Sequence, residues 1–527
     1  MDKIQNVLFL FVLSFFLYTP MKRSIHMYQQ NRYQIKRYET WLLHEVKYKR
    51  VSIQRTFLCL LGVYGLFFVS HEELPLQLLI LLLLIYSYVF FKMEDMKEYR
   101  KPLVFTHRVQ RLLFAFYLFY IVCFVFLLQI LSNDVWIACV PFLYFSPWFF
   151  LMIIAYLTQP IEERIRMYFV KDAQKILRSH KHLRCVGITG SYGKTSIKNI
   201  LHTLLSDTYY TLQTPHSYNN LMGITLSIRQ HLQNLHEIFI CEMGADHVHE
   251  IERLMEFVQP QYGFVSAVGP QHLSTFHSME NILHEKMQMI EKLPKDGIGF
   301  INYDNPYIRE YKIQNTCTIV TYGTRPECKY RAANITYSKA GSSFDVVYQK
   351  ERHTFSCKLL GRHNVVNITG AIAVAHTLNV SWDVLKQLVS SLSYVEHRLQ
   401  IIENEAYTII DNAYNSNPEG AHYALEVMKQ LDGKRVIITP GFLDLGKDSK
   451  QAHYEFGCYM AQCVDEVILV GKQQTKDIVV GLREKKFPLS KLHIVTTIQE
   501  AFSCLNSIAT PDTTVLLEND LPDAFNH

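Results

Sequence analysis

Most of the long apolar runs of this chain lie in its first third, at about 5–20, 56–71, 75–91, 111–132 and 135–157. A helix needs about 20 apolar residues to cross the hydrocarbon core of a bilayer, with about 17 as a lower limit. The last two runs meet that length, 75–91 borders on it without carrying a charge, and the first two are shorter. The pattern predicts a transmembrane helical domain of about five spans over residues 1–158. The first run lacks the basic start and small-residue cleavage site of a signal peptide and reads as an uncleaved anchor. The connections alternate in charge. Lys22, Arg23, Arg32, Lys36 and Arg37 follow the first run, 71–74 has no Lys or Arg, 92–111 is basic again, 132–134 is not, and Arg164, Arg166 and Lys171 follow the last run. Basic loops stay in the cytoplasm, so everything after 158 is expected on that side of a multi-pass membrane protein.

The period then changes. Ile161, Ile165, Tyr168, Phe169, Ala173, Ile176 and Leu177 recur at helical spacing with charges between them, which predicts an amphipathic linker helix over 159–180. Pro160 suits its first turn. From 183 to about 395 strand and helix patterns alternate, as in a mainly parallel α/β sheet, apart from short β strands inserted over 317–360. A second, smaller α/β unit follows, with strands near 407–411, 435–439, 466–470 and 514–517. The expected architecture is therefore an α-helical transmembrane domain (1–158), the linker, a central α/β domain (181–396) and a C-terminal α/β domain (397–527).

Composition narrows the function classes. A net charge of +5 gives no reason to expect a nucleic-acid partner. The eleven cysteines include no CxxC pair, which disfavours a zinc site or a disulfide framework and fits a reducing compartment.

Candidate chemistry begins at 185–189, CVGIT, a short buried strand followed by Gly190-Ser191-Tyr192-Gly193-Lys194-Thr195-Ser196 and a helix over about 197–205. Strand, glycine-rich turn and helix form the context of a phosphate-binding loop. The backbone around Gly190, Ser191, Gly193 and Ser196 would close on phosphate oxygens at a helix N-terminus. Lys194 would reach the β- and γ-phosphates and Thr195 would hold magnesium. Ile188 stands where the usual P-loop has its first glycine.

GITGSYGKTS resembles the ATP loop of the Mur ligases, which carry this shortened form, and further motifs follow in family order over residues 180–450. Thr214-Pro215, Asn219-Asn220 and Gly223 resemble the branch that adds D-alanyl-D-alanine. The resemblance implies an ATP- and magnesium-dependent ligase with Asn220 at the nucleotide, Glu242 and His272 as magnesium ligands, and Lys286 as a carbamylated lysine that supplies a further ligand. In the string GRHNVVN, Asn364 and Asn367 would contact adenine. Arg398 would reach the γ-phosphate, and in DNAYNSNP Asp411 would hold the ribose with Asn415 nearby. Two positions depart from the pattern: His397 replaces a glycine, and Asn412 replaces the second aspartate.

The function implied is addition of an amino acid or a dipeptide such as D-Ala-D-Ala to a cell-wall muropeptide precursor through an acyl phosphate, at a bacterial cell membrane. Apolar runs where the family has a domain gripping the UDP end suggest membrane lipid as a partner and an acceptor that is either UDP-linked or lipid-linked. Two other classes compete: an ATP-binding membrane scaffold without catalysis, to which His397 and Asn412 lend support, and a related amino-acid polymer synthase. A transporter is disfavoured by the scarcity of charges within the runs.

Overall fold

The computed structural model describes residues 3–48, 102–130, 140–271, 273–338, 340–394, 399–403, 406–413, 418–442 and 449–519. The chain divides into two compact units, Met1–Phe169 and Val170–His527.

The first unit is helical, with helices Lys3–Gln30, Ile35–Tyr48 and His107–Ile130 and the first part of Val140–Ser179. Met21, Ile25, Val109, Leu112, Phe116, Leu151 and Ile154 form its core. The buried Ser24 is paired: its Oγ meets the Tyr38 hydroxyl at 2.9 Å and donates to the Pro147 carbonyl at 3.1 Å. At the polar end Arg111 donates to both carboxylate oxygens of Glu162, at 2.6 and 2.8 Å. Phe114, Leu118, Ile121 and Val122 remain exposed.

Among the described residues no helix is long and apolar enough to cross a membrane. This corrects the expected transmembrane helical domain, and with it the membrane anchoring, the multi-pass location, the lipid partner and the replacement of a UDP-binding domain by spans. The helices that carry the last two runs are tied together by charged groups: Arg108 and Arg111 begin helix His107–Ile130 and reach Glu162, which sits with Glu163, Arg164 and Arg166 along helix Val140–Ser179. Of the first run only the side chains from Leu17 onward are described, and the runs 56–71 and 75–91 lie outside the described residues. Pro160 lies inside the helix Val140–Ser179 rather than in a first turn.

The second unit holds two sheets. The first contains β1 (Arg184–Thr189), β2 (Thr211–Gln213), β3 (Ile238–Glu242), β4 (Tyr262–Val265), β5 (Ile298–Asn302), β6 (Thr318–Gly323), β7 (Tyr330–Ser338), β8 (Gly341–Tyr348) and β9 (Glu351–Cys357), in the order β2-β3-β1-β4-β5-β6-β7-β8-β9. Pairing is parallel from β2 to β7 and antiparallel through β8 and β9. The inner strands are mainly apolar and almost wholly buried, apart from Arg184 at the start of β1, as sheets covered on both faces require. Helix Arg362–Thr377 packs on one face with Val365, Ile368, Ile372 and Ala375 in the core. The other face is covered in part by the end of helix Val140–Ser179, which buries Val170, Ala173 and Leu177 beside Leu183 and Cys185. Strand β1 lies between β3 and β4, so its C-terminal end opens at the crossover point where ligands of such sheets bind.

The second sheet orders β10 (Gln400–Glu403), β11 (Thr408–Asn412), β15 (Thr514–Glu518), β12 (Arg435–Thr439), β13 (Glu466–Val470) and β14 (Leu492–Val495) as β10-β11-β15-β12-β13-β14. Strands β10 and β14 were absent from the sequence expectation. Both are four-residue strands at the edges of the sheet, with no fully buried position to mark them.

Candidate active site

The turn after β1 is built for a close backbone approach. Gly190 has φ +148°, and a Cβ there would stand 2.0 Å from Ser266 Oγ. Gly193 has φ +81° and begins helix Lys194–Ser206 with no side chain capping its N–H groups. Those donors and the positive end of the helix dipole suit phosphate. Ser191 is tied down on both sides. Its N–H donates to the Ala267 carbonyl at 2.7 Å, and its hydroxyl donates to the Gly269 carbonyl at 3.1 Å. Lys194 Nζ donates to the carbonyls of Gly190 and Ser191, at 2.7 and 3.2 Å, so it spans the loop it belongs to. Ser196 is buried in the first turn.

Glu242 ends β3, in register with Ile188 of β1. Its carboxylate is 2 % exposed and is met by three residues, two on helix Lys194–Ser206 and one in the loop after β2. Thr195 Oγ1 lies 3.2 and 3.0 Å from its two oxygens, Asn219 Nδ2 donates to Oε1 at 3.2 Å, and Lys198 Nζ lies 3.3 Å from Oε2. The predicted magnesium pair Thr195 and Glu242 is thus brought together. A buried carboxylate beside a hydroxyl is an oxygen set that fits a hard divalent cation.

Lys286 lies on helix Met279–Glu291 with its side chain buried. Its Nζ donates to the Ala245 carbonyl at 3.0 Å and stands 5.6 Å from the centre of the Phe276 ring. Burial pushes its pKa down to about 7, and the charge of Lys194 acts in the same direction against the nearby Glu285, Glu250 and Asp246. A plain ammonium would repel a metal ion. A carbamate on this nitrogen would offer anionic oxygens instead.

Asn367 packs against Gly193, whose Cβ would meet its amide at 3.1 Å, while Asn364 donates to the Leu360 carbonyl at 2.8 Å. Asn220 Oδ1 caps the next helix by accepting from Gly223 N at 2.9 Å. Its neighbour Asn219 reaches the carboxylate. Asp411, next to last in β11, accepts from Ala413 N at 3.0 Å. Asn412 donates to the fully buried Glu518 at 2.8 Å and accepts from Leu399 N at 3.3 Å. An aspartate at 412 would put a second carboxylate against Glu518, so the amide is the residue this pocket accommodates. His272, His397, Arg398 and Asn415 lie outside the described residues.

Sequence reasoning missed Lys198, Asn219 and Glu518. A cavity of about 450 Å³ between β7 and helix Pro418–Gln430, with Asn334, Tyr337, Arg362, Glu426 and Tyr459 among its walls, includes none of the predicted site residues.

Residues 188–375 match the Mur ligase middle domain and residues 397–518 the Mur ligase glutamate ligase domain, together more than half of the chain. This chain belongs to the Mur ligase family. That family is one of ATP-dependent acid–amino-acid ligases. UDP-N-acetylmuramoyl-tripeptide–D-alanyl-D-alanine ligases of Buchnera aphidicola and Bacillus subtilis are each 29 % identical to this Mur ligase, over 300 and 293 residues. The matches cover 56 % and 55 % of this chain but 65 % and 63 % of those relatives, so the chain spans just under two thirds of their length. Among solved structures, MurF ligase from Thermotoga maritima in complex with ADP aligns with a TM-score of 0.60 at 23 % identity, over 67 % of this chain and 80 % of that one. MurF from Acinetobacter baumannii aligns at 0.59 and 24 %, over 67 % and 77 %. These likenesses show the two-domain α/β fold.

Proposed function

We propose that this Mur ligase uses ATP and magnesium to join an amino acid or a dipeptide such as D-Ala-D-Ala to the peptide of a UDP-linked muropeptide. The observation that carries the reading is the meeting of Thr195 and Glu242 beyond the C-terminal end of β1 and at the end of β3, beside a glycine turn whose helix has no side chain capping its N–H groups. The curated relatives, named for adding D-alanyl-D-alanine to a UDP-linked tripeptide, supply the substrate class.

In this reading the turn 190–195 holds the phosphates of ATP, Lys194 offsets their charge, and Asn367 supports the turn from below. Thr195 and Glu242 would hold magnesium, which when bound would supply positive charge against the phosphoryl group passed to an acceptor carboxylate. The amine then attacks the acyl phosphate, and loss of phosphate leaves the amide. Lys286, buried and shifted to about 7, carries a carbamate: the neutral amine adds to carbon dioxide, a C–N bond forms and a proton leaves. The non-catalytic scaffold reading loses support at Asn412, because its bond to Glu518 gives that substitution a structural role.

The test is phosphate release by the purified protein with ATP, magnesium, UDP-muropeptides and a panel of amino acids and dipeptides. Release that needs both acceptor and amine, with a mass gain of the amine minus water, is expected. Lys194→Ala should lower it by at least about 100-fold, the scale of losing one charge-stabilising donor. Release without an amine, or equal release by Lys194→Ala, would refute the reading.

A further inference from the structure

Helix Lys194–Ser206 is amphipathic, and Lys198 follows Lys194 by one turn on it. Lysines are almost never fully buried unless paired. Lys198 is 2 % exposed, and so is the side chain it meets, Glu242. Its Nζ lies 3.3 Å from Glu242 Oε2 and donates to the His216 carbonyl at 2.5 Å. One ammonium therefore joins the P-loop helix, the end of β3 and the loop after β2. Of the other donors, Asn219 takes Oε1 and Thr195 bridges both oxygens, so Lys198 supplies the one charged contact to Oε2 among the described residues.

We propose that Lys198 is a positioning residue for the divalent-cation site, holding the Glu242 carboxylate from the Oε2 side and setting the cation affinity of that site. This rests on the reading of Thr195 and Glu242 as the magnesium pair. An ammonium cannot ligate a metal. What it does is neutralise Glu242 in the metal-free protein and repel a cation that arrives on the other side. Removing the charge leaves a buried carboxylate that the cation alone can neutralise. The protein without Lys198 thus needs magnesium more and binds it more tightly.

The experiment is a magnesium titration of the melting temperature, with ADP present, for the full chain, Lys198→Met and Lys198→Arg. Lys198→Met should melt lower without magnesium, and its half-saturating magnesium should fall on the order of tenfold as a nearby positive charge is lost. Lys198→Arg keeps the charge and should stay within about twofold of the parent. A lower melting temperature with an unchanged magnesium midpoint in Lys198→Met would overturn the proposal and leave a packing role. Should Lys198→Met fold only with magnesium, that is the same result in stronger form. Failure to fold at every magnesium concentration, while Lys198→Met combined with Glu242→Gln folds, overturns it. A parent protein with no magnesium response overturns the magnesium pair itself, and the proposal with it.

Discussion

Two helices of the central domain each bury a lysine, and the two lysines are treated in opposite ways. Lys198 and Lys286 are both about 2 % exposed. Lys198 meets a carboxylate directly, at 3.3 Å. The bond recorded for Lys286 goes to a neutral carbonyl, that of Ala245, and the carboxylates of Glu285, Glu250 and Asp246 raise its pKa less than burial lowers it. Glu285, one residue away, spends both oxygens on the N–H groups of His249 and Ile251. Equal burial thus yields a fixed countercharge in one helix and, in the other, an amine that loses its proton near neutral pH. The partner decides, and burial only raises the stakes.

The largest effect that can break this comparison comes from removing the partner. Glu242→Ala should leave Lys198 as an uncompensated buried cation and cost about 3–5 kcal/mol of stability. Lys286→Met breaks no ion pair among the described residues and should stay within about 1 kcal/mol of the parent at pH 7, since it also removes a desolvated amine. Urea unfolding of the two variants beside the parent measures both. Similar losses would mean that the two sites are not electrostatically different.

The pH dependence of Lys286 sharpens the contrast at a smaller scale. Its folded pKa, about 7, lies below the ordinary 10.5. Between those values the unfolded chain holds a proton that the folded chain does not, so stability rises with pH across that window. The limiting slope is about 1.4 kcal/mol per pH unit. In buffers free of carbon dioxide the parent should gain stability over Lys286→Met between pH 7.5 and 9.5, and added bicarbonate should raise ligase turnover in the parent alone. A flat difference across that range would place the Lys286 pKa near its ordinary value.

How much of this was legible in the sequence follows from how local each feature is. The strand, glycine turn and helix at 185–206 are contiguous, so the P-loop could be read directly. Glu242 could be read because an apolar strand ends on it. Lys198 could not, because its partner is 44 positions away and a lysine on an amphipathic helix reads as exposed. Asn220 and Asn219 show the limit of register: one neighbour caps a helix and the other reaches the carboxylate, and only the fold says which. Glu518 and Asn412 meet because β15 lies beside β11, a pairing between the ends of the C-terminal domain. In the first third, hydropathy measured the apolar runs but not how the helices end. Arg111, which opens the run 111–132, is engaged by Glu162 beyond the last run, and Tyr120 within it bonds to Ser146 at 2.5 Å.

The smallest expected effect tests why the two helices begin differently. The helix of Lys286 opens on Ser278, whose hydroxyl accepts from Asn281 N at 3.2 Å. The helix of Lys198 opens on Gly193, with no side chain over its N–H groups. A capped N-terminus is a structural device, whereas an uncapped one at the end of β1 keeps its donors for an anion. Ser278→Ala should therefore cost about 1 kcal/mol of stability and leave ATP affinity unchanged. Urea unfolding reads the first and nucleotide titration the second. Because Ser278 starts the helix that carries Lys286, a loosened first turn has two full turns in which to recover before it reaches the amine. A loss of ATP affinity comparable to the loss of stability would show that the two helix starts are coupled, and that the uncapped turn after β1 does not act alone in receiving phosphate.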